Sequence, residues 1–158
     1  MPRLETYITI RAPIGKVFDA IIDPEVISKR PPIHSVSSVK GNPGEKESSA
    51  DYTYRVPGLK LKQTMAVLEV DKPRRIVWEM SGIFVGKWVQ TLESQQEGTR
   101  VDTKVDYIVR GGVIGRMADR LFLQRINQRN LEIGSAGLKE VCEQNWMINW
   151  IEGQDPPL

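Results

Sequence analysis

At 158 residues, 40% apolar and 27% charged, the chain has the size and balance of one soluble globular domain with its own core. A formal net charge of +2 gives no call for a nucleic acid partner, the lone Cys142 excludes an intramolecular disulfide, and no apolar run approaches the roughly 18 residues of a membrane span. The start Met1-Pro2-Arg3-Leu4-Glu5 lacks the apolar stretch of a secretory signal, so a cytoplasmic protein without stable membrane insertion is expected.

In chain order, Leu4, Thr6, Ile8 and Ile10 alternate with Glu5, Tyr7, Thr9 and Arg11, the period of a half-buried strand. Pro13 then fits a first helical turn, and Ile14, Val17, Phe18, Ile21 and Ile22 recur at the spacing of one apolar helix face up to Asp23. Asp23-Pro24 repeats the start signal, cap then proline, for a short helix through Lys29, and Arg30-Pro31-Pro32 ends it.

From Ile33 to Val109 the period is two, and turn residues at 41–44, 57–58, 71–73, 81–82 and 97–98 divide the stretch into six hairpin-connected strands. Without crossover helices the sheet must be antiparallel. One alternate set holds Tyr52, Tyr54, Gln63, Met65, Trp78, Trp88 and Tyr107; the other is rich in Asp51, Arg55, Lys60, Lys62, Glu79, Asp102, Lys104 and Asp106. The sheet therefore has one wet face and one apolar, aromatic face.

A long helix over Ile114–Glu143 closes the domain, and its apolar stripe changes side. Ile114, Met117, Ala118, Leu121 and Phe122 share one face, whereas Leu123, Ile126, Leu131, Leu138 and Val141 centre nearly opposite. The helix must bend or restart near residue 122, or its first turns pack elsewhere than on the sheet. Asn127, Asn130, Gly134 and Gly137 lie on the second stripe, where a dry core would carry bulk, and imply space and hydrogen-bonding capacity. Residues 144–158 read as an apolar tail containing Trp146 and Trp150, distinct from a single domain over 1–143.

Three segments, Tyr7–Glu25, Val67–Trp78 and Leu138–Glu143, together resemble the START and polyketide cyclase/dehydrase superfamily over about residues 4–143. The resemblance implies an α+β helix-grip fold. In it a curved seven-stranded antiparallel sheet wraps a long C-terminal helix, with two short helices after strand 1 and a deep cavity for lipids, polyketides or similar molecules. Members of this superfamily include carriers, cyclases and dehydratases, so fold alone does not choose among them.

The expected ligand-binding set is Tyr52, Tyr54, Trp78, Trp88, Tyr107, Asn127 and Asn130, because buried Tyr, Trp and Asn need polar partners that a solid aliphatic core would not supply. A cavity of several hundred cubic ångströms is expected between sheet and helix. His34, the sole histidine, reads as an ordinary strand-start or loop residue, and Cys142 as a small buried side chain. No metal or other cofactor is expected. Arg110-Gly-Gly-Val-Ile-Gly-Arg116 reads as a hinge rather than a phosphate cradle, and Arg116, Asp119, Arg120, Arg125, Arg129 and Glu132 as a solvated face. Binding or transport of an apolar small molecule is the favoured reading. The alternative is a cyclase- or dehydratase-like enzyme using Glu69, if no bulge turns it outward, or Glu79, which alternation places on the wet face. A homodimer through Trp146, Trp150 or the Met117/Leu121 lip is a further expectation.

Overall fold

The computed structural model describes residues 3–56 and 58–151, and the side chains of these apart from Val56, Leu59, Leu121 and 145–151. Strand β1 (Arg3–Ile10) leads into helices α1 (Ile14–Ile22) and α2 (Pro24–Ser28). Asp23 caps α2, its side chain accepting from the Glu25 N–H at 2.9 Å, with Pro24 in the first turn as the sequence predicts.

Strands β2 (Ile33–Lys40), β3 (Ser49–Val56), β4 (Leu59–Asp71), β5 (Arg75–Gly82), β6 (Phe84–Gln95) and β7 (Gly98–Val109) follow, and β1 pairs with β7. The result is one antiparallel seven-stranded sheet of order β1-β7-β6-β5-β4-β3-β2, the expected helix-grip arrangement. The register keeps the predicted faces: Trp78 lies opposite Trp88, and Trp88 opposite Val105, on the covered side.

After β7 the chain turns at Gly111 (φ 120°) and Gly112 (φ 61°), backbone conformations that residues with a Cβ adopt only with strain. Helix α3 (Gly112–Ala118), a π-helical turn (Asp119–Leu123) and helix α4 (Gln124–Ile151) follow. The π turn is the physical form of the stripe switch near residue 122. The Gln124 N–H reaches back five residues to the Asp119 carbonyl, and the extra residue rotates everything downstream by about 100° relative to an unbroken α-helix. Up to and within this turn Val113, Ile114, Met117 and Phe122 are exposed; downstream Leu131, Leu138 and Cys142 are buried. The expected tail begins inside α4, whose backbone continues to Ile151, while the side chains of Leu121, Trp146 and Trp150 lie outside the described residues.

Helix α4 is fastened along the edge of β1. Gln128 Nε2 donates to the Glu5 carbonyl at 3.0 Å, Lys139 Nζ to the Thr9 carbonyl at 2.8 Å, and Glu143 accepts from the Arg11 N–H at 3.1 Å. These bonds occupy an edge that would otherwise offer free ladder groups. Beneath α1, Phe18, Val17, Ile10, Ile76 and Val101 meet Leu138 and Cys142 in a closed apolar cluster.

Candidate functional site: a cavity between sheet and helix

Side chains at alternate positions of β3 to β7 form the floor of a cavity, one face of α4 its roof, and the Arg30–Ile33 segment an end wall. Tyr52, Tyr54, Trp78, Trp88, Tyr107, Asn127 and Asn130 all border it. Its volume is about 200 Å³, smaller than the several hundred expected. The aromatic rings that form the walls also fill the space: Phe84 stacks near Tyr54 at 6.1 Å and meets Tyr107 edge-on at 5.2 Å.

One polar point lies at Tyr107. Its hydroxyl donates to Asp119 Oδ1 at 2.6 Å and accepts from Asn127 Nδ2 at 3.3 Å, while Gln124 Nε2 donates to Asp119 Oδ2 at 3.3 Å. Burial and then the neighbouring carboxylate push the Tyr107 phenol well above its ordinary value. Asp119 is only 4% exposed, which corrects its placement on a solvated face. A regular helical wheel puts it beside Arg116 and Arg120, whereas the π turn aims it inward; the stripe switch three residues later was the one sequence signal of that irregularity.

A second polar point lies at Arg30, which the sequence offered only as a helix terminator. The Arg30–Pro32 segment packs beside Gly134 and Gly137 of α4, close enough that a Cβ at Gly137 would lie in ordinary contact, 3.6 Å, with the Arg30 Cβ. Arg30 Nη1 donates to the Gly134 carbonyl at 3.2 Å, but its buried Nε has no partner among the described residues, and neither has the buried Nδ2 of Asn130. Burial draws the guanidinium below its ordinary value, and the acidic groups whose charge bears on it are the Cys142 thiol and the Tyr52 phenol. Burial pushes these up to about 11 and about 12, so both are neutral at pH 7.

Gln63 behaves differently. Its amide donates to the Ser81 and Phe84 carbonyls at 2.7 and 2.8 Å and accepts from the Phe84 N–H at 3.1 Å, so it staples the β5–β6 turn and has nothing left over for a guest.

The two carboxylates considered for proton transfer are both outside. A bulge between Val67 and Glu69 interrupts the β4–β5 register and turns Glu69 to solvent, where it accepts from Arg75 Nη1 at 2.7 Å. Glu79 is exposed opposite Lys87. His34 is an exposed β2 residue 3.0 Å from Arg55 Nη2, and Lys60 and Arg55 hold its imidazole below its ordinary value. Among the described residues no three His, Cys, Asp or Glu side chains group closely enough to hold a metal ion. No described helix is long and apolar enough to cross a membrane.

A family model described as "Polyketide cyclase / dehydrase and lipid transport" matches residues 1–143. No curated protein sequence matches the chain. Solved structures share the fold. The protein TTHA0849 from Thermus thermophilus is 22% identical with a TM-score of 0.76, covering 88% of this chain and 95% of its own. The Zhui aromatase/cyclase from Streptomyces sp. R1128 is 16% identical with a TM-score of 0.78, covering 90% and 94%. Ara h 8.0201 is 20% identical with a TM-score of 0.67, covering 90% and 98%.

Proposed function

The chain belongs to the polyketide cyclase/dehydrase and lipid transport family, and from that premise we propose that it binds and shields, or carries, an apolar small molecule in the sheet–helix cavity. A lipid, a quinone or a polyketide fits this description. The observation that carries the reading is the wall chemistry: aromatic and aliphatic side chains make up most of the lining, and no carboxylate borders it among the described residues. The exposed face of α3 is the surface we propose for contact with a second copy of the chain.

The enzyme reading has one observation in its favour, the Tyr107–Asp119–Asn127 network. Its chemistry is unfavourable for proton transfer. The Tyr107 proton is already committed to Asp119, and the phenol, held far above its ordinary value, does not ionise near pH 7. Carriage is therefore preferred over cyclisation or dehydration.

Organic-solvent extraction of natively purified protein, followed by mass spectrometry, tests the proposal. One apolar molecule should be recovered in roughly equimolar amount, chemically unchanged after prolonged incubation with the protein. Protein that yields none, and that takes up no added apolar probe, would refute binding; conversion of the molecule on incubation would favour the enzyme.

A further inference from the structure

The cavity wall is mostly apolar, and two of its polar side chains, Arg30 and Asn130, keep buried donors unpaired among the described residues. Arg30 is the one charged side chain on its lining among the described residues, and it faces no carboxylate there. Its Nε–H and the Asn130 Nδ2–H2 are both buried donors without an acceptor, although Gln63, on the same lining, has its amide fully engaged. Buried polar groups in folded proteins are paired as a rule, and a donor left unpaired is destabilising. Neutral water could supply acceptors but no counter-charge. Asn130 lies one helical turn, a rise of about 6 Å, before Gly134, whose carbonyl accepts from the Arg30 guanidinium, and both residues border the same space.

We infer that the molecule held in this cavity is an apolar acid, whose carboxylate accepts from Arg30 Nε and from the Asn130 amide while its hydrocarbon part lies among the Trp78, Trp88 and Tyr54 rings. The inference rests on the binding reading above and narrows it from apolar molecules in general to apolar anions. A guanidinium matches a carboxylate in planar geometry, and charge-assisted hydrogen bonds of this kind are about twice as strong as neutral ones. The Arg30 contact to Gly134 uses Nη1, which leaves Nε free without disturbing the helix.

Calorimetric titration of the intact chain with 2-naphthoate and with methyl 2-naphthoate separates the inference from the reading beneath it. Wild type should bind the acid about tenfold or more tightly than the ester. Arg30→Met should lose that preference and bind the ester within about threefold of wild type, and Asn130→Leu should reduce the preference partially. The wild-type comparison needs no variant, so a variant that fails to fold does not rescue the idea. Equal binding of acid and ester by wild type, or an undiminished acid preference in folded Arg30→Met, would overturn the acid inference and leave the apolar cavity standing. Binding of neither compound would overturn both.

Discussion

The sheet's covered face is packed in two ways, and the difference separates what holds the protein together from what it offers a guest. Under α1, Ile10, Val17, Phe18 and Ile76 are each 0% exposed and belong to one apolar cluster. Under the middle of α4 the same strands present Tyr54, Gln63, Trp88 and Tyr107 around an open space, with the unpaired donors of Arg30 and Asn130 on its lining. The first region is close-packed and intolerant of volume change. The second trades packing contacts for shape and polar capacity.

The comparison is sharpest at Phe18. It is fully buried between α1 and the sheet, so Phe18→Ala should lower unfolding free energy by about 3–5 kcal/mol in urea titrations, the cost of lost transfer and a residual void. A loss below about 1 kcal/mol would mean that the α1 region is as loosely packed as the cavity.

A second test uses the tyrosines of the cavity. Burial favours their neutral phenols, lifting Tyr52 from 10.0 to about 12 and Tyr54 and Tyr107 further still. Above pH 10 the unfolded chain releases these protons while the folded chain keeps them. The native state then binds more protons than the unfolded one, and stability falls as pH rises; below pH 10 the three groups impose no slope. Phenolate absorbance from them should appear together with unfolding, and Tyr54→Phe should make the alkaline fall shallower. Three phenolates that ionise near pH 10 with the fold intact would show that water reaches the cavity walls.

Much of the contrast was legible in the sequence. The two-residue period over 33–109 separates Trp78 from Glu79 and Tyr107 from Asp106, because alternation in a strand is a geometric necessity. The aromatic excess on the inner set and Asn127 and Asn130 on the helix marked the lining. What escaped is conditional on contacts distant in sequence. Arg30 is part-buried because its segment packs on Gly134 and Gly137 of a helix a hundred residues away, and no local pattern distinguishes it from a surface arginine after a short helix. Asp119 is inward only because one turn winds as π rather than α. The outward aim of Glu69 hangs on a single-residue bulge, and a one-residue slip reverses every face.

Trp88 tests the cavity side alone. It is half-buried on β6, opposite Trp78, and borders the space, so Trp88→Ala should weaken binding of a neutral apolar fluorescent probe by about tenfold, as loss of a large wall residue implies. Lys60→Ala, on the wet face, should leave affinity within about twofold, as surface changes usually do. Equal losses would place the probe elsewhere than between sheet and helix.

The smallest effect is expected where the side chains are most exposed, in α3 and at Phe122 of the π turn. Val113, Ile114, Met117 and Phe122 are 58–82% exposed, so their side chains add little to either packed region. Ile114→Ser with Met117→Ser should change stability by less than about 1 kcal/mol, within the range of surface substitutions. The same double change should nonetheless reduce self-association in sedimentation experiments, or alter the rate of ligand exchange, because an apolar face of this kind kept in water costs free energy that a partner or a closing movement would recover. Asp119 gives the segment a mechanical link to the interior: it sits in the π turn directly after α3 and holds the Tyr107 hydroxyl at the cavity wall. A loss of several kcal/mol would show that α3 belongs to the close-packed class after all. Unchanged association and unchanged exchange, with stability intact, would leave the exposed face without the role assigned to it.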